Sequence, residues 1–205
     1  MKLYLIRHGQ SERNAAHLLS GRSLTTPLTA TGVRQARQIG HLLSGVSPEK
    51  IVSSPAQRAS ETATVALETA NITQPITTDN DLLERSQGSF EGRPRVDILK
   101  GSGAVARLWH FFKDGEDFAL PGGESLNDVK KHLRRWLSKT AAELPAESVV
   151  FVFSHELAIK CLLASLFGWS KLRIYATNID NASVTILSRG ANGWKVTAQN
   201  QKDHL

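Results

Sequence analysis

The sequence predicts one α/β domain over residues 1–205, a three-layer α/β/α sandwich with a mostly parallel central sheet and a small loop-rich cap insertion. Short apolar runs typical of strands alternate with amphipathic helical patterns, and this order favours a parallel sheet. With 205 residues, 40% of them hydrophobic, the chain is long enough to bury a substantial core. No repeat, low-complexity tract or linker divides it, so we expect a single domain.

The first half of the chain contains three predicted strands and two predicted helices. The strands are expected at residues 3–6, 51–54 and 76–78, and the helices at residues 30–43 and about 55–70. Thr29 or Thr31 is a suitable cap for the first helix, because a hydroxyl accepts hydrogen bonds from the first backbone amides. Pro55 is expected in the first turn of the second helix, where its missing amide hydrogen costs nothing.

The second half begins with a segment rich in breaker residues. Nine glycines and prolines interrupt residues 84–124, which predicts a loop-rich cap insertion with one short helix around residues 105–112. Beyond it, the patterns predict a helix at residues 125–143, a strand at 148–153, a helix at 157–167, and a terminal hairpin of strands at 183–187 and 194–197.

Cationic and imidazole side chains follow three of the predicted strands. Arg7 and His8 come directly after the first strand, Arg58 shortly after the second, and His155 after the strand at 148–153. The carboxyl ends of parallel strands meet at one edge of a sheet, so we expect these four residues to lie close together. Arginine matches phosphate oxygens with its planar fork, and histidine serves as nucleophile, acid or base near neutral pH. The pattern therefore indicates a site for a phosphoryl group.

Short motifs around these positions occur in a recognisable order. They are Arg7-His8-Gly9 with Ser11 and Asn14; Pro27-Leu28-Thr29 with Gly32 and Gln35-Ala36; Ser53-Ser54-Pro55 with Arg58-Ala59 and Thr62-Ala63; Leu83-Glu84 with Gly88, Phe90, Glu91 and Gly92; and Gly122-Gly123-Glu124-Ser125 with Ser154-His155. In this order and spacing the chain resembles the histidine phosphatase superfamily, with its phosphoglycerate-mutase-like fold. The resemblance covers nearly the whole chain.

The resemblance implies a role for each site residue. His8 would be the nucleophile that accepts the phosphoryl group, Glu84 the general acid, and the phosphate pocket would consist of Arg7, Arg58 and His155. Asn14 and the backbone near Ser20 and Gly21 would supply further phosphate contacts. Glu91 or Asp81 would replace Glu84 if that assignment fails. The resemblance implies no cofactor and no metal, because Arg7 and Arg58 would supply the positive charge that a divalent ion supplies in other phosphoryl-transfer sites.

Glu156 departs from the family pattern, which usually has glycine after the second histidine. Its carboxylate would repel a phosphate if it pointed inward, or would face the helix dipole or solvent. In the cap, Arg93, Arg95 and Arg107 either read a second anionic group of the substrate or lie on a solvated face. The cluster Trp109-His110-Phe111-Phe112 is expected to pack in the core, with contact to the substrate as the alternative.

Composition narrows the compartment and the partners. A single cysteine, Cys161, excludes an intramolecular disulfide, and neither a signal peptide nor an apolar run of eighteen residues is present, so we expect a cytoplasmic protein without a membrane partner. The net charge of +6 is matched by the first 58 residues alone, and no nucleic-acid-binding motif accompanies the dispersed basic residues. The oligomeric state stays open.

The function expected from the sequence is a metal-independent phosphomonoesterase that acts on a small phosphorylated metabolite through a phosphohistidine. α-Ribazole phosphate, a sugar phosphate or a broad range of esters would suit the short cap. A cofactor-dependent phosphoglycerate mutase is the alternative, although only 71 positions separate Glu84 from His155. A nucleic-acid-binding module and a non-catalytic relative are the remaining alternatives; the filled catalytic positions disfavour the second.

Overall fold

A six-stranded sheet is the central layer of the computed structural model, which describes residues 1–205. Its strands are β1 (Lys2–Arg7), β2 (Lys50–Ser53), β3 (Ile76–Thr78), β4 (Val149–Ser154), β5 (Val184–Gly190) and β6 (Gly193–Gln201). The spatial order is β3-β2-β4-β1-β5-β6, in which β3, β2, β4 and β1 are parallel and the terminal hairpin β5–β6 is antiparallel to them. The predicted mostly parallel sheet is confirmed.

Seven α-helices accompany the sheet: α1 (Glu12–Ala15), α2 (Ala30–Leu43), α3 (Gln57–Ala70), α4 (Ala104–Lys113), α5 (Leu126–Glu143), α6 (Glu156–Phe167) and α7 (Lys171–Ala176). Thr29 caps α2 as one of the two expected residues, its hydroxyl accepting from the Gly32 amide at 3.1 Å. The placement of Pro55 in the first turn of α3 is wrong, because Ala56 is the N-cap and the helix begins at Gln57. Four short 3-10 helices lie at Asn80–Leu82, Gly88–Phe90, Arg95–Leu99 and Gly115–Asp117.

Successive residues of a strand are buried in two separate hydrophobic cores, one on each face of the sheet. On β1, Leu3 and Leu5 join the cluster formed with α5 and α6, whereas Tyr4 and Ile6 join the cluster formed with α2 and α3. Successive side chains of a strand point to opposite faces, so a strand buried on both faces is apolar throughout. The two cores make up the predicted three-layer arrangement. No helix in the protein has both the length and the apolar character needed to cross a membrane.

Residues 84–124 form the loop-rich segment that the breaker residues predicted, and its α-helix, α4, lies where one was expected. Phe90 and Leu120 of this segment form a small core together with Leu19 from the loop between α1 and α2. The expectation that the Trp109 cluster packs in the core is wrong for Trp109, which is 64% exposed, and for Phe112, which is 70% exposed. No residue of α4 is buried, because the helix covers an open cavity rather than a packed interior.

The loop after β1 passes very close to the first turn of α2. A Cβ atom added to Gly9 would come within 2.5 Å of the Gly32 carbonyl oxygen, and one added to Gly32 would overlap the Gln10 carbonyl oxygen. Only glycine allows two backbones to approach so closely. The pair therefore fixes the loop that carries His8 against the start of α2.

We expect Gly32→Ala to lower the free energy of unfolding by about 1–3 kcal/mol, because the backbone at Gln10 must move away from the added methyl group. Denaturant unfolding measures the change. Gly190→Ala is the matched control, since a Cβ at Gly190 would meet nothing within 4 Å, and it should alter stability by no more than about 0.5 kcal/mol. Equal stability of the two variants would contradict the close approach.

Candidate active site

A cavity of about 540 Å³ opens at the carboxyl edge of the parallel strands. The sequence analysis assigned eight residues to catalysis or to phosphate contacts. Seven of them line this cavity: Arg7, His8, Asn14, Ser20, Gly21, Arg58 and Glu84. The eighth, His155, lies directly behind the lining, with its ring 5.2 Å from the His8 ring in an edge-to-face arrangement. The strand order thus brings the predicted residues together as expected.

The two ring nitrogens of His8 have different partners. Nδ1 lies 2.7 Å from the Gly9 carbonyl oxygen, which only accepts, so Nδ1 carries the proton. Nε2 accepts a hydrogen bond of 3.2 Å from Nε of Arg58, which only donates. The contacts therefore assign the neutral Nδ1–H tautomer and leave the lone pair on Nε2.

Burial keeps His8 neutral. The side chain is buried, and desolvation lowers its pKa well below 6.5, with further lowering by the positive charges of Arg58 and Arg7. The hydrogen bond to Gly9 acts in the opposite direction but does not compensate. An imidazole held in this way is available as a nucleophile at neutral and mildly acidic pH.

Arg58 is fully buried in the first turn of α3, close to the end of β2. Besides its contact with His8, the guanidinium donates to the carbonyl oxygens of Ser23 at 2.8 Å and Gly21 at 2.9 Å. Burial lowers the pKa of Arg58 to about 10, so the side chain stays positively charged at neutral pH. Arg58 thus holds together the nucleophile and the loop of residues 20–23.

Two buried nitrogens of the predicted phosphate pocket have no hydrogen-bond partner within the protein: Nε of Arg7 and Nδ1 of His155. One further nitrogen of each side chain does have a partner: Nη1 of Arg7 donates to the Ile179 carbonyl oxygen, and Nε2 of His155 lies 2.8 Å from Oγ of Ser54. Burial also lowers the pKa of His155 well below 6.5. Buried polar atoms are rarely left without partners, and an anion beside His8 would satisfy both.

Glu84 lies against the first turn of α6. Its carboxylate accepts hydrogen bonds from the backbone amides of Arg85 at 2.9 Å, Leu157 at 3.1 Å and Ala158 at 3.2 Å. Burial raises the pKa of Glu84, and these amide contacts offset only part of the rise. The carboxyl group is therefore suited to hold a proton at a higher pH than an exposed glutamate does.

The two substitutes considered for Glu84 have other tasks. Glu91 accepts from the backbone amides of Arg22 at 3.0 Å and Gln87 at 3.1 Å, and so holds the loop that contains Gly21. Asp81 forms an ion pair with the exposed Arg135, away from the cavity. Neither carboxylate lines the cavity, and Glu84 is the one that does.

Asn181 belongs to the site although the sequence analysis did not single it out. Its side-chain amide donates to the carbonyl oxygens of His8 at 3.1 Å and Gly9 at 3.3 Å and to Oδ1 of Asn14 at 3.2 Å. Asn14 also accepts from the Ser11 backbone amide, as the capping residue pair of α1. The available signal was the polar run before the fifth strand, which reaches the same edge of the sheet because β5 is antiparallel.

Glu156 points inward, and the ambiguity left by the sequence is resolved. The side chain lines the cavity, and its carboxylate lies 3.1 Å from Nη1 of Arg7 and also pairs with Lys160. Burial would raise the pKa of Glu156, but the positive charges of Arg7 and Lys160 outweigh burial and lower it. Glu156 therefore stays negative beside the predicted phosphate pocket.

The three cap arginines differ in position. Arg93 and Arg107 lie over the Phe90 ring, 5.5 Å and 5.1 Å from its centroid, and Arg107 also donates to the Ile98 carbonyl oxygen. Arg95 is exposed and lines the cavity. A fourth arginine, Arg85, is buried and donates to the carbonyl oxygens of Glu124 and Phe118 and to the Tyr175 hydroxyl.

No group of three or more His, Cys, Asp or Glu side chains in the protein is arranged to hold a metal ion. The donor set of the cavity consists instead of arginine and histidine nitrogens, whose charges complement an anion. The arrangement of a neutral imidazole, fixed cations and a buried carboxyl group is chemically suited to transfer of a phosphoryl group.

Comparison with known proteins agrees with this arrangement. A family model for the histidine phosphatase superfamily (branch 1) matches residues 3–202. The probable phosphoglycerate mutase GpmB of Salmonella choleraesuis (strain SC-B67) is 30% identical over 212 residues, covering 100% of this chain and 95% of that protein. A mycobacterial glucosyl-3-phosphoglycerate phosphatase superposes with a TM-score of 0.83 at 27% identity, covering 98% of this chain and 99% of that one. The alpha-ribazole phosphatase of Shigella flexneri, at 24% identity, TM-score 0.84 and coverage of 98% and 96%, shares the fold.

We expect ¹⁵N NMR to find His8 in the neutral Nδ1–H tautomer at pH 6.5, because burial and the two arginines disfavour its protonation. In a titration, His8 should take up its proton only well below pH 6.5. In Arg58→Leu, loss of the donor and of its charge should raise the pKa of His8 toward the ordinary value. A charged His8 at pH 6.5 in the unaltered protein would contradict the assignment.

Proposed function

Because the chain belongs to the histidine phosphatase superfamily, we propose that it is a metal-independent phosphomonoesterase that hydrolyses a small phosphorylated metabolite through a phosphohistidine. The observation that carries the proposal is the lone pair on Nε2 of His8, held by Arg58 within a cavity that Glu84 also lines. The family membership agrees with the resemblance found in the sequence.

In the first step, Nε2 of His8 attacks the phosphorus atom and the bond from phosphorus to the ester oxygen breaks. The leaving oxygen takes the proton of Glu84, whose raised pKa keeps the acid form available. Negative charge spreads over the phosphoryl oxygens. Arg7 and His155 have buried nitrogens, Nε and Nδ1, that are without partners in the protein, and Arg58 adds its positive charge. Because Nε of Arg58 donates to the attacking nitrogen, this donor must pass to a phosphoryl oxygen as the new bond forms.

In the second step, water attacks the phosphohistidine. The Glu84 carboxylate, now ionised, removes a proton from the water, and the bond between phosphorus and Nε2 breaks. Inorganic phosphate leaves, His8 regains its lone pair, and Glu84 regains its proton. The same carboxyl group thus acts as acid in one step and base in the next, and neither step needs a metal ion.

A cofactor-dependent phosphoglycerate mutase is the second candidate, because the relative at 30% identity is named a probable phosphoglycerate mutase. It would use the same nucleophile and return the phosphoryl group to a second acceptor instead of water. Glu156 disfavours this reaction, since a negative carboxylate in the cavity repels the carboxylate and phosphates of a bisphosphoglycerate. An assay of 3-phosphoglycerate isomerisation with 2,3-bisphosphoglycerate present distinguishes them: mutase flux above the rate of phosphate release would favour the mutase.

The metabolite is proposed only as a class. α-Ribazole phosphate, a sugar phosphate or a broad set of phosphomonoesters fits a cavity of about 540 Å³. Proteins of this fold include an alpha-ribazole phosphatase and a glucosyl-3-phosphoglycerate phosphatase. The single cysteine favours a cytoplasmic site of action. Screening phosphate release over a panel of cellular phosphomonoesters identifies the metabolite.

We expect His8→Ala to lower kcat about 10⁴-fold or more, because no other group in the cavity supplies a nucleophilic lone pair in the same place. When the reaction of the unaltered enzyme with substrate is stopped rapidly without acid, a phosphoryl adduct should be trapped. This adduct should be stable in base and labile in acid. The adduct should be absent from His8→Ala and present in the control His41→Ala, whose histidine is exposed on α2. An adduct that forms only with a divalent metal would overturn the mechanism.

We expect Glu84→Gln to lower kcat about 10²- to 10⁴-fold for an alkyl phosphate and much less for p-nitrophenyl phosphate, whose leaving group needs no proton. With the alkyl ester, kcat of the unaltered enzyme should fall on the alkaline side as Glu84 loses its proton above its raised pKa. It should fall on the acid side only below the lowered pKa of His8.

The alkaline limb should disappear in Glu84→Gln and persist in Glu68→Gln, a control at an exposed position of α3. The measurement is kcat against pH for both esters. A uniform loss with both leaving groups would mean that Glu84 is not the acid.

A further inference from the structure

The phosphoryl group and the alcohol of a substrate must share one cavity. Under the proposed function the phosphorus atom lies against Nε2 of His8 and the leaving oxygen near Glu84, so the alcohol occupies the remaining lining. Two parts of that lining stand out among its other polar and charged residues: an acidic corner, formed by Glu156 with Lys160, and an apolar wall, formed by Ile98, Leu99, Leu108, Phe111, Phe118 and Leu120. The chemistry of these two parts determines which alcohols fit.

The acidic corner reduces the number of positive charges in the cavity that are free to bind a substrate anion. Glu156 pairs with Arg7 at 3.1 Å and with Lys160, and the exposed fractions of the three side chains are 30%, 12% and 5%. Lys160 is thus committed to a carboxylate and is not free to bind a substrate anion. Partly buried charges are screened less than exposed ones, so Glu156 offsets the positive charges of Arg7 and Lys160 that a negative substrate group would otherwise meet.

Two of the three cap arginines that line the cavity, Arg85 and Arg107, are committed as well. Arg85 binds two carbonyl oxygens and the Tyr175 hydroxyl, and Arg107 binds the carbonyl oxygens of Ile98 and Lys100. These contacts use the guanidinium groups to hold the cap in shape. Arg95 is the exposed arginine of the lining, where water already solvates its charge.

The apolar wall offers contacts of a different kind. Leu99 is 61% exposed and Leu108 is 47% exposed, although both line the cavity. Phe111 is held in place by the Phe118 and Tyr175 rings, with centroids 5.7 Å and 5.4 Å away. When an apolar group of a ligand covers exposed apolar surface beside a reaction site, the free energy of binding becomes more favourable.

We propose that, within the classes named above, the cavity favours phosphomonoesters whose alcohol is uncharged and has a hydrocarbon portion, with Glu156 and the apolar wall as its specificity determinants. The proposal rests on the proposed phosphomonoesterase function. Glu156 selects against alcohols that carry a second negative charge near the ester, and the apolar wall favours alcohols with a hydrocarbon portion. Both parts act on the alcohol and not on the phosphoryl group.

The first experiment measures kcat/KM for linear alkyl phosphates from ethyl to octyl, as monomers in solution. The leaving oxygen is chemically alike throughout this series, so differences report contacts of the chain. We expect kcat/KM to rise about fourfold per methylene group until the chain fills the cavity, the change for moving one methylene from water to apolar surface. A flat or falling series overturns the role of the apolar wall.

Two neighbouring positions of α4 provide a matched pair of variants. Leu108→Ser should lower the ratio of kcat/KM for octyl over ethyl phosphate about tenfold, because Leu108 belongs to the apolar wall. Trp109→Ser should leave the ratio unchanged, because Trp109 is exposed outside the cavity. Thermal unfolding checks that both variants are folded. An equal change in both would show that the chain does not lie along the apolar wall.

The second experiment compares 3-phosphoglycerate with glycerol 3-phosphate, esters that differ by a carboxylate in place of a hydroxymethyl group. The unaltered enzyme should prefer glycerol 3-phosphate. Glu156→Gln should raise the ratio of kcat/KM for 3-phosphoglycerate over glycerol 3-phosphate at least tenfold. Glu143→Gln, which removes a surface ion pair with Lys50, should leave the ratio unchanged.

The outcomes separate this inference from the proposed function. If glycerol 3-phosphate is hydrolysed through a phosphohistidine but the ratio does not respond to Glu156→Gln, the charge selection is wrong and the phosphomonoesterase stands. If the unaltered enzyme prefers 3-phosphoglycerate, the charge selection is again wrong and the phosphomonoesterase stands. Arg95 would then be the residue that binds the substrate carboxylate. Failure to hydrolyse any ester in either experiment overturns both proposals.

Discussion

The hydrogen bond from Nε of Arg58 to Nε2 of His8 is the interaction on which the site depends. Arg58 is fully buried, so its charge is costly unless every donor is used, and its remaining nitrogens bind the carbonyl oxygens of Gly21 and Ser23. One guanidinium therefore joins the loop after β1, the start of α3 and the loop that lines the cavity. The same contact orients the imidazole and, with burial, keeps it neutral. A displacement of any of these three segments would change the chemistry of His8.

The start of α6 organises the other half of the site. Because β4 ends at Ser154, His155 becomes the N-cap, Glu156 the first helical residue, and the next two amides bind Glu84. Two carboxylates thus lie near one helix terminus with opposite behaviour: burial raises the pKa of Glu84, whereas Arg7 and Lys160 lower that of Glu156. Environment alone lets one carboxyl group hold its proton to a higher pH and favours the negative charge of the other. In our proposal the first serves the reaction and the second selects the alcohol.

Local patterns predicted much of this arrangement. The periods of apolar residues located all six strands and the five longer helices, and Arg7, His8, Arg58 and His155 could be grouped because parallel strands end at one edge. The two short helices, of four and six residues, are too short to show a helical period. Pro55 was misplaced because the helix after it begins only at Gln57. The sequence around Trp109 was expected to pack in the core. In the structure α4 covers a cavity, and none of its residues is buried.

By itself the sequence determined the fold class, the order of the elements and the grouping of Arg7, His8, Arg58 and His155 at one edge of the sheet, since these follow from short-range spacing and from a general rule for parallel sheets. Only the tertiary structure decided that Glu156 points inward, that Asn181 holds the backbone of His8, and that Glu84 rather than Glu91 faces the cavity. The physical reason is distance along the chain: Asn181 is 173 positions from His8, and Glu84 is 73 from Leu157. Such pairs meet only after the sheet has formed, and no local pattern encodes which way their side chains then point.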